Sequence, residues 1–318
     1  MKEHILVTGG AGFIGSNCAN ILAEKGYDVV ALDNLSLGTV ANLEKRVRFV
    51  EGDVQDPRTL EAIGPVAYVI HLASSSSAPM FADDLVGSVG NNILGHVQIL
   101  EYARRTGARK VLYASTSSIY GNNPTPLSEN QSVTPPNFYA ATKHSQEELS
   151  QVYQQVYGLE IIGFRFMSVY GLHEEHKGRF ANLVSQFIWG MEQGKRPVLY
   201  GDGSQTRDFV NVRDVVNAFE LAIGTANRFG STVFNVGTTR ATSLLELVHI
   251  INRVMGTHIE PELVPNPVKA GYIMAQQADL SKIQSELGYA PAVALEAGIR
   301  EIVSYRKGNP VPPPSLSF

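Results

Sequence analysis

Residues 4–16, "HILVTGGAGFIGS", run from an apolar β-prone stretch through Gly9, Gly12 and Gly15 into an apolar helical stretch. No other feature of the chain constrains its fold as much. A strand, a tight turn and a helix packed back over the strand form the opening unit of a parallel sheet. The alternation then continues. "DVVALDN", "VRFVEGDV", "VAYVIHLA", "KVLYASTS" and "LEIIGFRF" read as short apolar strands. Helical stretches separate them near Pro57–Ile63, over Ile93–Thr106, and from Ser132–Lys143 into a helix ending near Gly158. Strands apolar at successive positions are buried on both faces. The expected fold class is therefore α/β: a doubly wound, Rossmann-like parallel sheet with a smaller C-terminal substrate-binding domain.

The second half is less regular. "GRFANLVSQFIWGMEQGK" reads as a helix with Gly194 as its stop, "RPVLYGDGSQTRDFVNVRD" as strand, turn and strand, and "TVFNVG" as another strand. "VVNAFELAIG" and "TSLLELVHIINRVMG" read as helices, and the proline-rich tail "GNPVPPPSLSF" as loosely held. The expected division is a dinucleotide-binding domain over 1–168, with return segments near 208–236, and a mainly substrate-binding domain over 169–318.

Composition narrows the partners. With 26 basic against 30 acidic residues, net charge −4 and no basic block, nucleic acid is disfavoured. An anionic small ligand then needs locally placed cations or helix N-termini. The single cysteine, Cys18, allows no internal disulfide and no cysteine-cluster metal site, and it lies in an apolar helical stretch suited to packing. No stretch approaches the roughly 20 apolar residues of a membrane span, and the apolar run at the start ends in glycines. The expectation is a soluble, cytoplasmic protein that binds no metal.

Glycines at this turn let a backbone approach a pyrophosphate at a helix N-terminus. Asp33 ends the second strand about 20 residues on, where an acid accepts hydrogen bonds from an adenosine ribose and repels a 2′-phosphate. The cofactor expected is therefore NAD.

"FYAATK" sets Tyr139 four residues before Lys143. On a helix these share a face. An ammonium beside a phenol favours the phenolate, and the positive ring of oxidised NAD acts in the same direction. A phenol with an ordinary pKa of about 10 then becomes a base usable near neutral pH.

The G-x-x-G-x-x-G loop is followed in order by "GDV" (52–54), "HLAS" (71–74), "YASTSSIYG" (113–121), Tyr139 with Lys143, "FRFMSVYG" (164–171), "RDFVNVRD" (207–214) and "ADLSK" (278–282). This series resembles the extended short-chain dehydrogenase/reductase family, and within it the nucleotide-sugar epimerases, those of UDP-glucose and UDP-galactose in particular. The resemblance implies a catalytic set of Thr116, Tyr139 and Lys143, with Thr116 relaying a proton between sugar and tyrosine. Ser115 and Ser117 stand close enough to be confused with it. It implies cofactor contacts from Gly9, Gly12, Phe13, Ile14, Gly15, Asp33, Asn34, Leu72, Ala73, Ser74, Ser115, Tyr139, Lys143 and Phe166. Asp53 and Val54 would touch the adenine, and Asn92 would steady the neighbouring strand and helix. For a UDP-sugar it implies Ser117, Asn182, Val198, Tyr200, Arg207 and Lys269, with Arg207 and Asn182 on the diphosphate and Tyr200 stacked on uracil.

Related dehydratases carry Asp-Glu directly after the threonine. Here Ser117 and Ser118 follow, which disfavours elimination of water. Three departures stand out: Lys269 where relatives carry arginine, Phe166-Met167-Ser168 where they carry Tyr-Phe-Asn, and Gln276 where side-chain size governs entry of an N-acetylated sugar. The implied reaction is 4-epimerisation of UDP-glucose and UDP-galactose. Oxidation at C4 is followed by return of the hydride to the opposite face, and NAD stays bound. Epimerisation of UDP-glucuronate or a UDP-N-acetylhexosamine remains an alternative, as does a non-catalytic NAD-sensing module. The relatives also suggest a homodimer paired through two helices of each subunit.

Overall fold

A computed structural model of the chain describes residues 3–267 and 271–309. Strands β1 (His4–Thr8), β2 (Asp28–Asp33), β3 (Arg48–Glu51), β4 (Tyr68–His71), β5 (Lys110–Thr116) and β6 (Ile161–Phe166) lie in one sheet. Short strands β7 (Ser168–Tyr170), β8 (Val198–Tyr200), β9 (Thr206–Arg207) and β10 (Phe209–Asn211) follow outside it, and β11 (Ser231–Val236) returns to its edge. The sheet order is β11-β6-β5-β4-β1-β2-β3, every pairing parallel. The α/β expectation holds.

The apolar runs have a direct cause. In β1, Ile5 and Val7 face one core while Leu6 faces the other. Val29 and Ala31 of β2 follow the first pattern, Val30 and Leu32 the second. Alternate side chains leave opposite faces of a strand, so a sheet covered on both sides needs apolar residues at every position. Helices α1 (Phe13–Glu24) and α7 (Val212–Gly224) cover one face. On the other lie α2 (Pro57–Ile63) and α4 (Leu85–Thr106), after the short α3 (Ala78–Asp83). Helix α5 (Phe138–Tyr157) packs against α4. A second core gathers Trp189, Leu199, Leu247, Ile251 and Ile299 from β8, α6 (Leu183–Glu192), α8 (Leu244–Met255) and α10 (Leu295–Gly308), with α9 (Ser281–Leu287) packed on the first.

Two helix boundaries differ from expectation. Helix α4 begins at Leu85, not near Ile93, because the Asp84 carboxylate caps it by accepting from Gly87 N. Its first turns expose Leu85, Val86 and Val89, so no core-facing apolar stripe marks them in the sequence. Helix α6 begins only at Leu183, capped by Asn182, because Gly178 takes a φ of 51° and breaks the preceding 3₁₀ segment Glu175–Phe180. Helix α5 behaves as read: Asn137 caps its start and Gly158, at φ 71°, ends it.

The strand order reverses at β1. Strands β2 and β3 lie on one side of it and β4 on the other. Loops leaving the carboxyl ends of β1 and β4 diverge at such a point and open a crevice between them. Among the described residues, no helix is long and apolar enough to cross a membrane.

Candidate active site

A cleft of about 710 Å³ lies over that reversal point, and the glycine loop forms one wall. Gly9 has a φ of 65°, and a Cβ there would come within 2.7 Å of Ala73 N, so the loop and the end of β4 close on each other only because the position is glycine. A Cβ on Gly15 would run into the carbonyl of Gly9. At Gly12 the only neighbour is Gly9 O at 3.2 Å. Gly12 also caps α1 without any side-chain hydrogen bond, so the first-turn amides of the helix are open to an anion. These features fit the pyrophosphate of a dinucleotide.

Asp33 sits at the end of β2, 8% exposed, and accepts from Ala11 N at 3.0 Å and Leu35 N at 2.8 Å. Burial pushes its carboxyl above the usual range, and those amides act in opposition. Phe13, Ile14, Asn34, Val54, Leu72, Ala73, Ser74 and Phe166 all reach the cleft wall. Asp53 stays behind it, accepting from Asn34 Nδ2 at 3.1 Å and Gln55 N at 2.8 Å. Asn92 is likewise a fastening: its amide joins Ser74, both main-chain groups of Ser75, and Thr142. Ser115 borders the cleft, but its hydroxyl donates to Glu147, which is paired with Arg165.

Thr116 ends β5, and Tyr139 and Lys143 lie on the first turns of α5, where they face the same cleft. Tyr139 is half-buried and hydrogen-bonded to Thr116; Lys143 is only 3% exposed. Lys143 Nζ donates to Ala114 O at 2.9 Å. The sequence reading lowers the phenol through two positive charges, the ammonium and the ring of oxidised NAD; the protein alone supplies only the first. Burial pushes the Lys143 amine down to about 7 and raises the Tyr139 phenol, with the Thr116 hydroxyl acting the other way. Desolvation disfavours the charged form of each group.

At the other end, Arg207 lines the cleft beside Tyr272, its guanidinium 5.8 Å from the ring. The acids close to it in sequence are engaged elsewhere. Asp208 accepts from Thr238, Thr239 and Ala278, and Asp214 from Ala292 and Val293. Asn182 and Ser117 also face the cleft, and Gln276 Nε2 donates to Ser117 Oγ at 2.9 Å. Val198 and Tyr200 do not line it. Tyr200 packs beside Tyr272, ring centroids 5.9 Å apart, and Tyr272 lines the cleft. Lys269 lies outside the described residues. Sequence reasoning also missed Lys177 and Arg179. Both line the cleft from the 3₁₀ segment, Lys177 Nζ lying 3.6 Å from Glu174 and Arg179 pairing with Asp83 of α3. "HKGR" around a glycine was their only signal.

The model of the family described as NAD dependent epimerase/dehydratase matches residues 5–237. The UDP-glucose 4-epimerase of Mycolicibacterium smegmatis is 36% identical over 309 residues, covering 94% of this chain and 97% of that one. A structure of the Thermotoga maritima UDP-glucose 4-epimerase with UDP-glucose aligns with TM-score 0.89 at 33% identity, over 97% of this chain and all of that one. The UDP-N-acetylglucosamine 4-epimerase of Methanobrevibacter ruminantium, in complex with UDP-N-acetylmuramic acid, aligns with TM-score 0.90 at 29% identity, over 97% and 99%.

Proposed function

This chain belongs to the NAD dependent epimerase/dehydratase family as an NAD-dependent nucleotide-sugar epimerase, and from that premise we propose that it interconverts UDP-glucose and UDP-galactose. In this reading the glycine loop and the amides of Phe13 and Ile14 hold the pyrophosphate, Asp33 and Asn34 the adenosine ribose, and Val54 the adenine edge. NAD supplies a reversible hydride acceptor and, when oxidised, a positive charge. Tyr139 takes the proton of the sugar C4 hydroxyl, directly or through Thr116, and returns it after the sugar has turned. Lys143 presents N–H groups behind the phenol. Arg207 and Asn182 grip the diphosphate. Ser117 and Ser118 provide no acid–base pair after Thr116, which disfavours loss of water from the keto sugar.

The choice of a neutral hexose is carried by one observation: among the described residues, the other cations of the cleft already have partners. Lys177 lies beside Glu174, Arg179 pairs with Asp83, and Lys143 is held by carbonyl oxygens. Arg207 is needed at the diphosphate, so among the described residues a uronate carboxylate finds no cation of its own. Gln276 is bonded across to Ser117, and this reading takes it to refuse an acetamido group. NMR analysis of products from UDP-glucose, UDP-galactose, UDP-GlcNAc and UDP-glucuronate tests this. The first two should interconvert without added NAD and without release of NADH; turnover of the uronate or the acetamido sugar alone would overturn the assignment.

The same reading assigns residues 1–168, with return segments near 208–236, to the dinucleotide and the rest mainly to the sugar nucleotide. It also includes a homodimer paired through α4 and α5, which carry exposed Val86, Leu94, Val152 and Val156. Light scattering should give twice the chain mass of 34.6 kDa.

A further inference from the structure

We propose that Gln146 is a positioning residue that fixes the direction of the Lys143 amine and holds it in its cationic form. The proposal deepens the reading above and rests on it for what Lys143 does. Gln146 lies three residues beyond Lys143 on α5, hence on the same face, and is completely buried. Its Nε2 donates to the main-chain oxygen of Asn92 at 2.6 Å. A carbonyl can only accept, so this contact settles which end of the amide is which. The Oε1 end must face Lys143 Nζ, 3.3 Å away. The reversed amide would set oxygen against oxygen on one side and N–H against N–H on the other.

Asn92 is itself immobilised by Ser75 and Thr142. A continuous set of hydrogen bonds therefore runs from the cleft wall at Ser74–Ser75 through Asn92 and Gln146 to the lysine. Ala114 O and Gln146 Oε1 engage two of the amine's N–H groups and leave the third direction free. Both oxygens are the negative ends of dipoles, and they favour the ammonium against the burial that depresses it. Few other groups near Lys143 change charge. His96 on α4 and His71 on β4 are both kept neutral by burial. Tyr139 on α5 is raised, and Glu147 of α5 and Arg165 of β6 offset each other as a buried pair.

The test is an NMR titration of lysine labelled at Cε, with the Lys143 signal assigned by Lys143→Met and read on protein without sugar nucleotide. Gln146→Met has similar size and no oxygen. It should move the Lys143 inflection down by about 0.5 pH unit or more, as expected for a lost dipolar acceptor. The alkaline limb of kcat/KM should move with it. Gln146→Leu, which also lacks the oxygen, should move both in the same direction, and it decides the matter if the methionine variant does not fold. Inflections unchanged in both variants would overturn the proposal. Shifted titrations in a protein that turns over no UDP-sugar would sink the assigned activity and leave the role of Gln146 standing.

Discussion

The two ends of the cleft are built by different means. The dinucleotide end is mostly main chain: glycines that permit close approach, open amides at the start of α1, and residues following β1, β2 and β4. The sugar-nucleotide end is mostly side chains from short or irregular segments: Arg207 on a two-residue strand, Asn182 at a helix cap, Lys177 and Arg179 on a 3₁₀ turn, and Tyr272 and Gln276 on a loop. Main chain placed by a sheet accepts few alternatives. Side chains on loops can be exchanged without disturbing the core. The first end should thus set what every member of the fold binds, and the second what this one selects.

Tyr139 faces both ends, and its removal tests whether they meet at one catalytic point. Tyr139→Phe keeps the ring and removes the base. It should lower kcat by about 10³-fold or more while NAD remains bound, measured by turnover and by cofactor content after gel filtration. Undiminished turnover would break the link between the ends. Arg207→Leu probes the side-chain end alone. Loss of a charged hydrogen bond of about 2 kcal/mol should raise KM for the UDP-sugar roughly thirtyfold, with NAD content and the pH profile unchanged. A parallel loss of NAD would show that the two ends are not separable.

How much of each end could be read in advance follows the same division. The glycine loop, Asp33, and the Tyr139–Lys143 spacing are local patterns, and a local pattern survives in a single sequence. The buried sheet was legible because alternation was replaced by continuous apolar runs. The far end was not. Tyr272, which lines the cleft beside Tyr200, went unread because a strand residue and a loop residue distant in sequence are brought together only by the packed chain. Lys177 and Arg179 come from a segment whose geometry depends on Gly178, inside what read as a continuous helix. The charges of Tyr139 and Lys143 are also only partly legible: spacing reports proximity, whereas burial, which raises the phenol and lowers the amine in the protein alone, is a property of the whole fold.

Gly12→Ala tests the main-chain end. The added Cβ meets only Gly9 O, at 3.2 Å, and otherwise faces the cleft. It should leave the thermal midpoint nearly unchanged and weaken NAD about tenfold, a difference near 1.4 kcal/mol. Isothermal titration with NAD measures it. Unaltered affinity would mean that the backbone approach at Gly12 is not where the pyrophosphate sits.

The smallest effect is a divergence in acid response between the two regions. Beneath the dinucleotide end, His71 and His96 are fully buried and hydrogen-bonded to Thr8 and Ser150. Burial lowers both, His96 to about 3. Their folded pKa values lie below the ordinary 6.5, so the unfolded chain takes up more protons than the folded one as pH falls below 6.5. Stability is fully present above that point and is lost below it, by up to about 1.4 kcal/mol per pH unit for each imidazole. Beside the sugar-nucleotide end, Glu174 is buried and its carboxyl is raised, despite Lys177, Ser185 and the Asn182 amide. The sign there is opposite: its contribution is present below the ordinary carboxyl range and is lost as pH rises through the raised value. His173, beside Glu174, is lowered by burial and acts in the other direction, so hydrogen exchange at pH 7 and pH 5, corrected for intrinsic rates, should show β4 and α4 losing more protection on acidification than residues 172–185. His96→Gln should reduce the loss in α4 and leave 172–185 unaffected. If both regions weaken in step, the acid response belongs to the molecule as a whole, and the electrostatic difference between the two ends of the cleft has no bearing on stability.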